Sequence, residues 1–190
     1  MSDPLSPAAT LRIAVLRLWA DDEAEAAKHL GEARSLGLGP DASPELALLL
    51  MVRGRQMDEL EAALRAVQQR RGQSTDWVPS VLAAIRDPAR GAEAEAALER
   101  SATNGQIDAV LHFGTLVLVG RDRRALRWLL ERPRLRTREL EFAFLSREAA
   151  GLRRLPGFGE VITRFGLDDY WDRFGWPPSC ARSGRGISCN

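Results

Sequence analysis

Cys180 and Cys189 are the only cysteines in the chain, and both lie in a Gly- and Ser-rich tail. An even pair so placed suits a disulfide, which for so short a loop is worth roughly 2 to 3 kcal/mol by chain-entropy reasoning. Such a bond persists only in an oxidising compartment; the other reading is two reduced thiols in a cytoplasmic tail. Two thiols with no neighbouring histidine supply too few ligands for a metal. His29 and His112, the only histidines, belong to no metal-binding or nucleophile-activating pattern, so packing or surface roles account for them. Gly37-Leu38-Gly39-Pro40 lacks the Gly-Lys-Ser/Thr ending of a phosphate loop, and Asp21-Asp22 and Asp168-Asp169 fall at helix starts, where capping explains them. Without a convergent nucleophile, base and oxyanion donor, the sequence predicts binding rather than catalysis, and no cofactor.

Arginine offers the best candidate surface. Arg121, Arg123, Arg124, Arg127, Arg132, Arg134, Arg136 and Arg138 fall close together, with Asp122 and Glu131 the only acids inside the run. A guanidinium presents a planar fork to carboxylate or phosphate, so the cluster points to an acidic protein or peptide, or a small anionic ligand. The competing reading is a solvated helix face whose arginines pair with Glu139 and Glu141. Lys28 is the only lysine among 27 basic residues, a mark of GC-rich coding, and the formal net charge of +1 does not argue for nucleic acid. Charge is nonetheless uneven. Residues 1–62 carry 11 acidic and 6 basic side chains, and residues 121–190 carry 9 acidic and 15 basic.

These residues must be positioned by helices. Stepping by 34 residues from Ala14, Val15 and Leu16 reaches Leu48, Leu82 and Leu116, then Leu49, Ala83 and Val117, then Leu50, Ala84 and Leu118, every one apolar. Leu30, Leu64 and Leu98 follow in the same register. Turn residues repeat too, near Asp21-Asp22, Gly54, Asp87-Pro88 and Gly120 within units, and at Gly37, Gly72, Asn104-Gly105 and Pro133 between them. Each unit reads as two helices: first helices over 7–19, 43–53, 76–86 and 106–119, second helices over 22–36, 56–70, 89–103 and 121–131. Further helices are predicted over 137–150, 156–165 and 168–174, followed by an irregular tail. The longest apolar stretch, Leu46 to Val52, is far short of the roughly 20 residues that cross a bilayer, and Met1-Ser2-Asp3-Pro4 lacks the basic start of a signal peptide.

A period of 34 residues in two-helix units resembles the tetratricopeptide repeat, in spacing more than in letters. The C-terminal residues carry a second likeness. Glu148-Ala149-Ala150, Leu155-Pro156-Gly157-Phe158, Phe165-Gly166-Leu167, Tyr170-Trp171 and Gly175-Trp176-Pro177, with Cys180 and Cys189, resemble the ending of bacterial tetratricopeptide sensor regions. Those regions commonly close chains that begin with a winged-helix DNA-binding or adenylate-cyclase-like domain. Here Leu155-Pro156-Gly157 stands where an acidic-Pro-basic turn is usual. The resemblance supports the disulfide and implies sensing or protein–protein interaction in a bacterial signalling or transcription-regulatory protein. Its compartment would be periplasmic or otherwise extracytoplasmic if the disulfide forms; a free-standing cytoplasmic adaptor is the alternative, and an all-α enzyme a remote one.

The fold predicted is all-α, a right-handed helical-repeat superhelix of about five helix pairs over residues 1–166. Residues 167–190 would form a capping helix and tail, with Tyr170, Trp171, Phe174 and Trp176 covering the open end of the array. Candidate partner-binding residues are Arg12, Arg17, Arg53, Trp77 and His112 in a groove lined by the first helices, together with Arg121, Arg124 and Arg127.

Overall fold

The computed structural model of the chain describes residues 6–39, 44–132, 138–177, 180–184 and 186–189. The helices are α1 (Pro7–Trp19), α2 (Glu23–Ser35), α3 (Pro44–Arg53), α4 (Met57–Arg70), α5 (Val78–Arg86), α6 (Gly91–Thr103), α7 (Ala109–Leu118), α8 (Asp122–Leu130), α9 (Arg138–Leu145), α10 (Ala150–Arg153), α11 (Phe158–Phe165) and α12 (Leu167–Phe174). Short 3-10 turns occupy Pro88–Arg90 and Arg147–Ala149, and strands β1 (Cys180–Ser183) and β2 (Gly186–Cys189) close the chain. The protein is mostly helical. Among the described residues no helix is long and apolar enough to cross a membrane.

Consecutive helices pack in pairs, α1 on α2, α3 on α4, α5 on α6 and α7 on α8. Their ends follow from local chemistry. The Asp22 carboxylate accepts the Glu25 N–H at the start of α2, and that of Asp108 accepts the N–H groups of Val110 and Leu111 at the start of α7, satisfying donors that a first turn leaves unpaired. The second helix of each of the first three pairs stops where a glycine enters the left-handed region, at Gly37, Gly72 and Gly105. Between the helices of a pair the same turn is made by Gly120 in the fourth pair, but by Asp21 at φ 57° and Arg55 at φ 55° in the first two. A side chain in that region costs roughly 1 to 2 kcal/mol, and Arg55 is exposed. Arg55→Gly is therefore expected to raise stability by about 0.5 to 1 kcal/mol after the extra chain entropy of glycine, read as a higher urea midpoint at unchanged slope.

The apolar faces make two cores. Ala14, Leu18, Ala26, Leu30, Leu46 and Leu49 join α1, α2 and α3. A larger cluster runs from Leu48 and Leu60 through Trp77, Phe113, Trp128 and Phe144 to Trp171 and both cysteines, so the segment after residue 166 packs into the same core as the helices before it. Helix α3 serves both, with Leu46 and Leu49 on one side and Leu48 on the other.

Three predictions from sequence need correction. The helix predicted over 137–150 is broken, with Ser146 extended between α9 and the 3-10 turn. Arg153, itself buried, donates from Nη1 to the Phe144 and Ser146 carbonyls, using acceptors that a continuous helix would have given to its own N–H groups. The tail is not irregular. Cys180 and Cys189 are joined, with their sulfurs 2.06 Å apart. They face each other at the open end of an antiparallel hairpin in which Ala181 pairs with Ser188 and Arg182 with Ile187. Two four-residue strands are marginal alone; the cross-link and the packing of β2 on α11, where Ile187 meets Gly159, hold them. The four aromatics also divide: Trp171 is buried, its ring centre 5.3 Å from that of a tilted Trp176, whereas Tyr170 and Phe174 are exposed.

Candidate functional site

Helix α8 buries Ala125, Leu126, Trp128 and Leu129 and turns its arginines the other way. Two are committed to a neighbouring helix. Arg121 Nε donates to Glu95, and Arg124 donates from Nε and Nη2 to the two Glu99 carboxylate oxygens at 2.8 and 2.9 Å, with Nη1 3.4 Å from Glu131. Arg121 and Arg124 lie a turn apart, as do Glu95 and Glu99, so the pairs rung α6 to α8. The fork-to-fork bonds of Arg124 hold the Glu99 carboxyl below its ordinary range although burial works to raise it. Arg132 instead lies over the Trp128 ring, 4.4 Å from its centre. Arg134 and Arg136 lie outside the described residues, as do the side chains of Arg138, Glu139 and Glu141.

Arg123 and Arg127 remain. One turn apart on α8, both are exposed and neither has an ion-pair or hydrogen-bond partner among the described residues. They form a cationic pair on a helix anchored by Trp128 beneath and by Arg121 and Arg124 beside it. Arg124, predicted to meet a partner, is largely spoken for; Arg123, not named among the predicted binding residues, is exposed and has no partner among the described residues. Period 3.6 places Arg123 and Arg127 together, but only the approach of α6 separates them from Arg124.

Behind this surface His112 is 2% exposed. Trp128 Nε1 donates to His112 Nδ1 at 3.0 Å, which puts the ring proton of the neutral imidazole on Nε2. That Nε2 stands 3.4 Å from Glu99 Oε1, near enough for attraction but outside hydrogen-bond geometry. Burial pushes the His112 pKa below its ordinary value; Arg124 and Arg132 act the same way and Glu99 opposes them.

The predicted groove residues separate into two groups. Trp77 is 1% exposed within the main core and His112 is buried against Trp128, so neither lines an open surface. Arg53 has only 2% of its side chain exposed and is clamped between α1 and the Arg147–Ala149 turn. All three are turned inward, Arg53 and His112 on the faces of α3 and α7 that meet their neighbours and Trp77 in the residue just before α5. Arg12 and Arg17 are exposed on α1, Arg17 standing 3.6 Å from Asp22.

Among the described residues, clefts also lie away from this face. An apolar crevice among α3, α4, α5, α7 and α9 is lined by Leu48, Leu64, Val81, Leu111, Val117 and Ala143, among others, and holds about 30 Å³ of free space. Its Thr115 and Ser146 hydroxyls donate to the Leu111 and Ala143 carbonyls. A shallower polar cleft of about 430 Å³ lies between α11 and the hairpin, edged by Glu160, Thr163, Asp168 and Arg182. Its charges are already partnered: Glu160 with Arg164, Asp168 with Thr163, and Arg182 with Asp172. Among the described residues no three His, Cys, Asp or Glu side chains are grouped to hold a metal ion.

Fold and surface together define a helix-paired protein with a disulfide-closed terminal hairpin and a cationic helix face. Comparison of the chain with protein-family models, with curated proteins and with solved structures found no match.

Proposed function

We propose that this chain is a non-enzymatic, tetratricopeptide-like binding region of a bacterial signalling protein, a right-handed superhelix that recognises an acidic protein or peptide. The observation carrying this reading is the pair Arg123 and Arg127, exposed and without an ion-pair or hydrogen-bond partner among the described residues, beside two arginines that the protein itself neutralises. A fold that merely needed solubility would gain as much from interspersed charges. Two guanidinium groups a turn apart on a rigid helix instead match carboxylates spaced at one turn on a partner. The 34-residue spacing and the pairing of successive helices support a repeat array. Arg12 and Arg17 stay in the binding set as exposed cations; Arg53, Trp77 and His112 leave it. Between a sensor outside the cytoplasm and a cytoplasmic adaptor, the joined cysteines favour the oxidising compartment.

The test uses a glutamate-rich helical peptide in titration calorimetry at low salt. Arg123→Glu with Arg127→Glu is expected to weaken binding by about tenfold or more, and added salt should weaken the unaltered protein in the same direction. Affinity unchanged by the double reversal removes the α8 face from the reading, and no binding by the unaltered protein removes the acidic partner.

A further inference from the structure

Among the described residues, the buried side-chain polar atoms without a hydrogen-bond partner include His112 Nε2 and Asp122 Oδ1, and only these two belong to titratable groups. An unmet buried donor or acceptor calls for a physical reason. Asp122 has one in packing, since its carboxylate occupies the space that Gly151 leaves and accepts the Leu152 N–H. His112 Nε2 faces a charged pair instead.

Glu99 Oε1 is approached from two sides. It accepts Arg124 Nε at 2.8 Å, and His112 Nε2 stands 3.4 Å from the same atom. Across the ring, Nδ1 accepts the Trp128 N–H at 3.0 Å. An imidazolium donates from both nitrogens and accepts at neither. Protonation is therefore incompatible with this arrangement: the added proton lands on Nδ1, where the indole N–H already points, and Nε2–H becomes a charged donor beside Glu99. The charges then no longer balance. Glu99, Arg124 and a neutral His112 sum to zero, whereas with His112 protonated one positive charge is left over behind Arg123 and Arg127. Of the elements packed on α7, α6 presents Glu99, α8 presents Arg124, and Arg132 follows just past the end of α8; both arginines act against the imidazolium. The turn at residues 147–149 carries Arg147 and Glu148, which are engaged with Asp21, Glu23 and Arg53. The charged side chains of α9 lie outside the described residues.

We propose that His112 is an acid-operated switch for the α8 face: a proton taken from solvent at Nδ1 expels the Trp128 N–H, draws Glu99 from Arg124 to Nε2, and adds Arg124 to the exposed pair Arg123 and Arg127. Released from Glu99, Arg124 keeps its 3.4 Å contact with the exposed Glu131. The face then holds an anionic partner more tightly in acid. Coupling is reciprocal, so an acidic partner bound to α8 makes His112 easier to protonate. Burial, with Arg124 and Arg132, keeps His112 neutral at pH 7, so the switch operates below 6.5, the ordinary histidine value. The tighter binding rests on the reading of α8 as the recognition face; the handover of Glu99 needs no partner.

NMR of the full chain between about pH 7.5 and pH 5 tests the handover by itself. The His112 ring signals, told from those of His29 by a His29→Gln variant, are expected to titrate below the ordinary value. The Arg124 Nε–H and Trp128 Nε1–H resonances should move with the same midpoint. In calorimetry the glutamate-rich helical peptide should bind about threefold or more tightly at the acid end, the order expected of one added charge near the surface. His112→Gln is the control, because its amide accepts the indole N–H and donates to Glu99 but never charges. The two proteins should agree at the neutral end and diverge in acid, with far-UV circular dichroism checking that both stay folded. A His112 ring that stays neutral throughout overturns the proposal, as does one that titrates while the Arg124 and Trp128 resonances stand still. An equal gain in acid by the His112→Gln protein also overturns it, placing the gain in the peptide. If that variant does not fold, the resonances of the unaltered protein decide. Failure of the peptide to bind at either end overturns the acidic partner and leaves the handover to those resonances, so the two readings fail separately.

Discussion

Arg53→Ala is expected to destabilise the protein by about 3 to 5 kcal/mol, the cost of removing one partner from a buried ion pair. Arg53 Nε and Nη2 donate to the two oxygens of Glu148 at 2.7 and 3.1 Å, and Nη1 donates to the Leu18 carbonyl at 3.0 Å and to Asp21 at 3.2 Å. One side chain thus ties the end of α3 to the end of α1 and to the turn after α9, where the two apolar cores meet. Glu148 is only 14% exposed. Burial alone would raise its pKa, and the bidentate bonds from Arg53 reverse that and hold it below the ordinary value of 4.5. The sign of the pH dependence follows. With Arg53 present, the pair's contribution is complete above the ordinary carboxylate range and is lost as pH falls through the lowered folded value. With alanine there, burial dominates, the folded state favours the protonated acid, and the deficit should be largest near pH 7 and shrink in acid. Urea unfolding at neutral and acidic pH measures this. A loss below about 1 kcal/mol would place the pair among ordinary surface bridges, and a loss independent of pH would remove Glu148 from the account.

Trp128→Ala comes next, also at about 3 to 5 kcal/mol, the range for truncating a buried aromatic. The ring is 1% exposed, lies 5.6 Å from Phe113 and carries Arg132 over its face. Trp128→Phe separates volume from polarity, since it keeps most of the packing but deletes the N–H that His112 Nδ1 accepts. In the unaltered protein His112 resists protonation because burial and two arginines oppose the charge. The unfolded chain takes up that proton near the ordinary value of 6.5; the folded chain does not. Stability is therefore complete above that value and declines as pH falls below it, until the lowered folded pKa is reached. Trp128→Phe frees Nδ1 to take a proton, so the decline between about pH 7 and pH 5 should be shallower as well as starting from a lower plateau. A parallel decline in the two proteins would show that the indole hydrogen bond has no part in setting His112.

The helices were legible because their signals are local. Apolar positions recurring at helical spacing, glycines at Gly37, Gly72, Gly105 and Gly120, and the Asp21-Asp22 pair act within a turn or two of themselves, and the first eight helices fall within a few residues of where those signals put them. The break at Ser146 was not legible, because Arg153 makes it by reaching back to carbonyls of the preceding helix. The hairpin was hidden for a similar reason, its strands depending on the cross-link and on α11 rather than on an alternating pattern.

For the site, composition alone determined that arginine would dominate the surface from residue 121 onward and that two cysteines stood ready in the tail. Which arginines are available is a different kind of fact. Arg121 and Arg124 are neutralised by Glu95 and Glu99, residues 26 and 25 positions earlier, and nothing nearby in sequence announces those partners. Arg53 and His112 looked like groove residues because charge and a titratable ring suggest solvent; tertiary packing buried both. The sequence by itself determined period, helix ends and charge distribution, which depend on neighbours along the chain. Only the tertiary structure decided burial, ion-pair partners and which apolar faces stay uncovered, since each depends on which helices come to lie side by side.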